Sequence, residues 1–225
     1  MTFRLTDEDR QKVSAAIAAA EAGSNGEIVA VATPISDPYH DVALHWAVIV
    51  LILALAASAW RPDWLQFWYE RLLGGWFADP TLGDLLTFLM VAAVFKFTVA
   101  LLILKWMPLR LLLTPAATKH RRVRRRAVTI FKAAAERRTV GRTGILIYLS
   151  MAERRAEIVA DEAILAVTDD TTWGEAMTAL ITDVRDGRPG DGIVAAVERV
   201  GAVLAEKFPC SPGDTNEIPD KLIEL

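Results

Sequence analysis

Four acidic side chains close together in the chain are the first residues whose type and spacing could support chemistry. Asp161, Glu162, Asp169 and Asp170 follow residues 156–160, a short apolar run that is typical of a β-strand. Carboxylate oxygens are the ligands that Ca²⁺ and Mg²⁺ prefer, and open α/β sheets often bind ligands beyond the ends of their strands. The alternative is a solvated loop with helix-capping carboxylates, and we favour it because functional carboxylates are the minority case. The four residues are nevertheless the weak candidates for metal ligands in this chain, and no catalytic residue is assigned.

Other site chemistries find less support in the sequence. The histidines His40, His45 and His120 lie in or beside the most apolar segments of the chain, away from the sheet edge expected to bind ligands. Cys210 is the only cysteine, which excludes a disulfide framework and a multi-cysteine metal site. No glycine-rich loop joins a strand to a helix with phosphate-binding spacing, since the glycines at 141 and 144 precede their strand.

A basic run stands out in a chain whose formal net charge is −3. Its members are Lys119, Arg121, Arg122, Arg124, Arg125 and Arg126. The run has no interleaved aromatic residues and lies just after a very apolar segment, so we expect it to contact anionic lipid headgroups rather than nucleic acid. Each basic residue near such a surface contributes about 1 kcal/mol. Its minimal role is to determine membrane topology.

Two apolar segments account for the mean hydropathy of +0.29. Residues 42–60 carry no charge and residues 85–104 carry one, Lys96. A helix of about 20 residues spans roughly 30 Å, the thickness of a hydrocarbon core. Between them, residues 61–84 are rich in aromatic side chains, which favour the headgroup region. A pair of buried core helices would need a larger protein around it, so the sequence predicts a two-helix transmembrane hairpin.

The distribution of basic residues predicts the orientation of this hairpin. Residues 105–142 contain twelve Lys or Arg, whereas residues 61–84 contain only Arg61 and Arg71. Because basic residues stay on the cytoplasmic side, the loop should face outwards and both termini inwards, in a multi-pass protein of the inner cell membrane. Lys96 within the second span has two open interpretations. In the first, its charge contacts a membrane partner or a polar pathway. In the second, its long side chain carries the ammonium group to the membrane interface, or it pairs within a homo-oligomer.

The remaining residues, 1–41 and 105–225, are together the size of one domain. Nearly continuous apolar runs at 27–33, 144–150 and 156–160 predict buried strands, and helical periodicity between them predicts an α/β fold. Thr6, Thr172 and Asp191 are the expected helix caps. The expected organisation is a first part of a cytoplasmic domain at 1–41, a span at 42–60, an external loop at 61–84, a span at 85–104, a basic juxtamembrane segment at 105–126, the rest of the domain at 127–206, and an extended tail at 207–225.

Two segments of this domain resemble a known family. Residues 143–161, TGILIYLSMAERRAEIVAD, and 190–204, GDGIVAAVERVGAVL, resemble the TPM domain, which is named for thylakoid-lumen, photosystem-II-associated and receptor-modulator members. The tail KFPCSPGDTNEIPDKLIEL is similar to that of a bacterial, membrane-spanning branch. The resemblance implies a mixed-sheet α/β/α sandwich, here with the hairpin inserted between the first two strands. It also implies metal-dependent acid phosphatase activity, as reported for some members.

The resemblance places metal ligands at positions that this chain has changed. Members with metal sites read Asp-Asn-Gly before the second strand, where this sequence has Arg142, Thr143 and Gly144. They read Gly-Tyr-Gly-Leu-Glu after the third strand, where this sequence ends on Ile164. Hard cations need several oxygen ligands at one point. We therefore expect no cofactor, with Ca²⁺ or Mg²⁺ as the alternative.

These observations favour a membrane-tethered binding or scaffolding module over an enzyme. The expected partners are the lipid bilayer, its anionic headgroups, and a membrane or cytoplasmic protein that the sequence does not identify. The alternative is a divalent-metal-dependent phosphatase of the TPM type. A third interpretation, an accessory subunit of a channel or transporter, depends on Lys96 alone.

Overall fold

The computed structural model describes residues 5–73, 80–134, 143–168, 171–210 and 220–225. The chain forms two units, which we call the sheet unit (Met1–Asp37 with Ala116–Leu225) and the helical unit (Pro38–Pro115). In chain order the elements are α1 (Asp7–Glu21), β1 (Glu27–Thr33), α2 (His40–Trp60), α3 (Pro62–Leu73), α4 (Leu82–Ile103), α5 (Met107–Leu112), α6 (Ala116–Ala134), β2 (Gly144–Ser150), β3 (Arg155–Ala160), α7 (Glu162–Leu165), α8 (Gly174–Arg185), α9 (Pro189–Lys207) and β4 (Ile223–Glu224).

The sheet is mixed, as expected, with the strand order β3-β2-β1-β4. Strands β1 and β2 run parallel with Glu27 opposite Gly144, whereas β2 and β3 run antiparallel. The tail was expected to be extended, and the structure pairs its end with the sheet. There β4 adds a parallel strand to β1, with Ile223 opposite Val31, because β1 would otherwise leave its outer backbone groups unpaired.

Both faces of the sheet are covered by helices, which explains the nearly continuous apolar runs of β1 and β2. Ile28 and Ala30 point into one cluster, which α1, α8 and α9 complete. Val29 and Val31 point into a second cluster, completed by side chains of α6. The helix α6 contributes Val123, Ala127 and Phe131 to that cluster. The alternation of side chains along each strand thus produces two apolar layers from one apolar run.

Local signals located one helix start correctly and two only approximately. Thr6 and Asp9 form the expected capping box at the start of α1. Thr172 is not the cap of α8, whose preceding residue is Trp173, because a turn that closes with Gly174 delays the helix. Asp191 lies inside the first turn of α9, since the proline at 189 already has the backbone angle of a first helical residue.

The helical unit contains two helices, α2 and α4, that are long and apolar enough to cross a membrane, counted among the described residues. They pack against each other, and α3 forms within the segment that we expected to be a loop. Tyr69 of α3 is buried and its ring meets Phe88 of α4 edge to face, with 5.6 Å between ring centroids. Most other aromatic side chains of α3 are exposed, among them Trp64 and Trp68.

Candidate functional site

Asp161, the first of the candidate metal ligands, joins the ends of two strands. Its Oδ2 accepts a hydrogen bond from the Gly144 N–H at 3.1 Å, and its own N–H donates to the Gly144 carbonyl at 2.9 Å. The side chain is buried. Glu162 follows as an exposed residue at the start of α7. Asp169 and Asp170 lie outside the described residues, so their role as metal ligands remains a prediction from the sequence.

The donors at this end of the sheet do not fit a divalent cation within the described part of the chain. Thr143 donates its hydroxyl to the Asn25 carbonyl at 2.8 Å, and Ile164 is a fully buried core residue. No group of three or more His, Cys, Asp or Glu side chains is placed to hold a metal ion, over the residues that the structure describes. Arg142 lies outside them. A hard cation would need several converging oxygens, and Asp161 already uses one on the backbone.

A second carboxylate group at the same end of the sheet was missed by the sequence analysis. Glu21, at the end of α1, accepts the Ile28 N–H through Oε1 at 2.7 Å. Burial, together with the nearby carboxylates of Glu27 and Asp220, raises the pKa of the Glu21 carboxyl to about 8, against the lowering effect of the Ile28 N–H. No sequence motif could reveal this group, because its members come from α1, β1 and the tail. This raised pKa favours the protonated form of Glu21 at neutral pH.

The basic run on α6 divides between the domain and solvent. Arg122 is mostly buried and pairs with Asp37 at 2.8 Å, and Arg124 lies 3.8 Å from Glu157. Arg121, Arg125 and Arg126 are exposed, and Lys119 is half-buried. This division follows from helical periodicity, since Val123, Ala127 and Phe131 direct one side of α6 to the sheet. Contact with lipid headgroups remains a prediction, best supported for Arg121, Arg125 and Arg126.

His120 was expected to lie away from the sheet edge that binds ligands, and the structure places it beside β3. Its Nδ1 is 2.9 Å from Oε1 of Glu157, a buried residue in the middle of β3. Burial raises the pKa of the Glu157 carboxyl, while His120, Arg124 and Arg155 lower it. The period of α6 places His120 one turn before Arg124, so both reach the same carboxylate.

Arg110 is the second residue that the sequence analysis overlooked, and it organises the helical unit. Its guanidinium is buried and donates to the Leu104 carbonyl at 2.8 Å and to the Pro38 carbonyl at 2.6 Å. It also lies 3.4 Å from Nδ1 of His40. Because Pro38 precedes α2 and Leu104 follows α4, one side chain connects the beginning and the end of the helix pair.

Lys96 lies on a cavity inside the helical unit. The cavity measures about 600 Å³ and is lined by α2, α3 and α4. Its walls are almost entirely apolar, with Ser58 and Lys96 as the polar exceptions. The structure therefore places Lys96 beside a cavity whose walls offer few hydrogen-bond partners.

Comparison with known proteins confirms the resemblance. Residues 109–203 match the family model of the TPM domain. The chain is also similar to the NMR structure of the BA42 protein from the psychrophilic bacterium Bizionia argentinensis, at 17% identity and a TM-score of 0.56, over 98% of this chain and 95% of that one. None of the curated proteins compared with the chain matches it. The family match begins after α4, so the central strand β1 and the helix α1 are parts of the fold that lie outside it.

Proposed function

We propose that this protein, which carries a TPM domain, is anchored by a two-span hairpin and exposes its sheet unit to the cytoplasm as a tethered binding module. The observation that carries the proposal is the exposure of α2 and α4. In their most apolar windows, only 17% and 6% of the residues are buried. An apolar surface of this extent is unfavourable in water and favourable in a bilayer. At about 1.5 Å per residue both helices are long enough to span it.

The contacts of Arg110 support a hairpin that returns to the side from which it started. A guanidinium that binds both Pro38 and Leu104 requires α2 to begin near the point where α4 ends. The sheet unit supports the same topology, because β1 precedes the hairpin and its partner β2 follows it. Two flanks of a hairpin can build one sheet only if both lie on the same side of the membrane.

Binding rather than turnover is favoured by the state of the acidic residues. Asp161 holds the ends of β2 and β3 together, and the described donors around it do not converge as a cation would need. The positions that the family resemblance gives to ligands carry Arg142 and Ile164 in this chain. The metal-dependent phosphatase is accordingly the competing function that an assay must exclude.

Topology reporters test the membrane part of the proposal. A reporter fused after Leu225 should be active only in the cytoplasm, and one inserted at Gly75 only outside. Replacing Arg121, Arg125 and Arg126 by Gln should weaken this orientation, because these exposed arginines lie on the flank that holds the excess of basic residues. Replacement of Arg61 and Arg71 is the control and should leave it unchanged. Reversed reporters, or release of the chain from membranes by alkaline carbonate, would refute the proposal.

An activity assay tests the functional part on the full chain in detergent. We expect no phosphomonoester hydrolysis above background with or without Ca²⁺ or Mg²⁺. The melting temperature should not change with millimolar concentrations of either ion, since a ligand that binds only the folded state raises it by mass action. A rise that disappears in the double variant Asp161→Asn, Glu162→Gln would indicate a metal site. Turnover lost in the same variant would establish the phosphatase instead.

A further inference from the structure

A basic cleft in the sheet unit lies around the edge strand β3, at the opposite end of that strand from Asp161. It measures about 710 Å³ and includes the first residues of β3 together with side chains of α6 and α8. Glu157 is the cleft residue of β3 nearest to Asp161 and precedes it by four residues, which is roughly 13 Å along a strand that rises about 3.3 Å per residue. Four cationic side chains line it: Lys119, Arg154, Arg155 and Arg185. His120 adds a group that can become cationic.

The two carboxylates in the cleft are already occupied by the protein. Glu153 is buried, and it accepts hydrogen bonds from the Ser36 N–H at 3.0 Å and from the Ser150 hydroxyl. Glu157 is buried and pairs with His120 at 2.9 Å. Their charges are therefore largely used in holding the turn and α6 in place. The guanidinium groups of Arg154 and Arg185 extend from exposed positions, so the accessible surface of the cleft is cationic.

The backbone at the mouth of the cleft is unusual for an arginine. Arg154 has a φ of +50°, in the left-handed region that glycine and asparagine normally occupy. It closes the turn between β2 and β3, and its N–H donates to the Met151 carbonyl at 3.2 Å. A long cationic residue in this conformation costs about 1 kcal/mol relative to glycine. Glycine would avoid this cost, and the turn instead places an exposed guanidinium at the mouth of the cleft.

We propose that this cleft binds a phosphate-bearing organic anion without hydrolysing it. Guanidinium groups match phosphate oxygens in pairs of parallel hydrogen bonds, and Arg155 and Arg185 approach the cleft from a strand and a helix that are packed against each other. Met177 and Ile181 form an apolar part of the wall that can contact the organic part of the ligand. The phosphate can belong to a lipid headgroup or to a soluble metabolite. The inference deepens the proposed binding function by naming the ligand class.

Binding is tested with the full chain in a nonionic detergent and with pyrophosphate as the probe, titrated by calorimetry against chloride at the same ionic strength. The double variant Arg155→Gln, Arg185→Gln should lose affinity at least tenfold. The matched control Arg61→Gln, Arg71→Gln removes the same charge from exposed sites that do not line the cleft, and it should change affinity less than twofold. If the double variant fails to fold, the exposed single variant Arg185→Gln carries the test, with an expected loss of about threefold or more.

One measurement identifies the source of the phosphate, and another tests whether the site exists. In lipid nanodiscs, phosphatidic acid added to phosphatidylcholine should compete with pyrophosphate if the cleft binds headgroups, and it should not compete if the ligand is soluble. No saturable binding above chloride, or equal losses in the double variant and in its control, would overturn the proposal. Because binding is measured in detergent, that failure is independent of the topology reporters, and reversed reporters would leave the binding result unaffected.

Discussion

Replacing Glu21 by Gln should remove a pH dependence from the stability of the sheet unit. Burial, with the neighbouring carboxylates of Glu27 and Asp220, raises the pKa of the Glu21 carboxyl from 4.5 to about 8. The folded chain therefore holds a proton at this group between these two values, whereas the unfolded chain has lost it. Stability must then fall as pH rises through this interval, because the unfolded state binds fewer protons than the folded state. The contribution of this proton to stability is complete below pH 4.5 and is lost above about pH 8.

The size of this effect follows from the same interval. Each pKa unit corresponds to about 1.4 kcal/mol, so the full interval sets a ceiling of about 5 kcal/mol. Partial exposure and screening reduce the expected loss to about 2–3 kcal/mol. For a chain of this size that corresponds to about 4–12 °C in melting temperature. The glutamine of Glu21→Gln cannot ionise, yet its carbonyl oxygen can still accept the Ile28 N–H.

The assay compares melting curves of the wild type and Glu21→Gln in detergent from pH 5 to pH 9. Contributions that the two proteins share, including those of the helical unit, cancel in the difference between the curves. We expect the variant to be comparable to the wild type near pH 5 and more stable by several degrees near pH 9. Glu8→Gln, an exposed substitution on the same helix, should show no such divergence. Parallel pH curves for Glu21→Gln and the wild type would refute the assignment of a protonated Glu21.

Three further substitutions test packing and hydrogen bonding. Gly201→Ala should lower the free energy of unfolding by about 1–3 kcal/mol, because the added Cβ would lie 2.5 Å from that of Ala20, while Gly174→Ala, which has open space, should be neutral in the same denaturant titration. Arg110→Met should lower the free energy of unfolding by about 3 kcal/mol, because it leaves two carbonyls without a charged donor. Faster protease cleavage near residue 38 would report this loss, and an unchanged cleavage rate would contradict the role of Arg110. Asp161→Ala should lower the melting temperature more than Asp161→Asn, whose carbonyl can still accept the Gly144 N–H, and equal effects would exclude that hydrogen bond as the reason.

Local sequence patterns determined most of the individual elements of this protein. The apolar runs of β1 and β2 predicted both strands with their observed bounds, because a strand covered on two faces needs apolar residues at every position. The Thr6 and Asp9 spacing located the start of α1, because a capping box uses residues only three apart. The two apolar helices were equally evident, because each segment has nineteen or more residues and carries at most one charge.

One short strand and one helix start escaped prediction. Strand β4 has two residues, too few for a periodic pattern, and it exists because β1 offers an unpaired edge. The start of α8 moved from Thr172 to beyond Trp173 because a preceding turn competes with the capping box. In both cases the deciding interaction was made by a neighbour whose position the local sequence does not contain.

The side chains that could bind a ligand or exchange a proton are brought together only by the tertiary structure. Glu21 and Asp220 are nearly two hundred residues apart, and only the placement of the tail beside α1 and β1 brings their carboxylates together in a desolvated setting. Lys119 and Arg185 belong to helices on opposite faces of the sheet, and they share a cleft only because β3 is an edge strand that both helices flank. Sequence patterns report interactions over one or two turns of chain, whereas a pKa or a binding cleft depends on charges and burial contributed by distant segments.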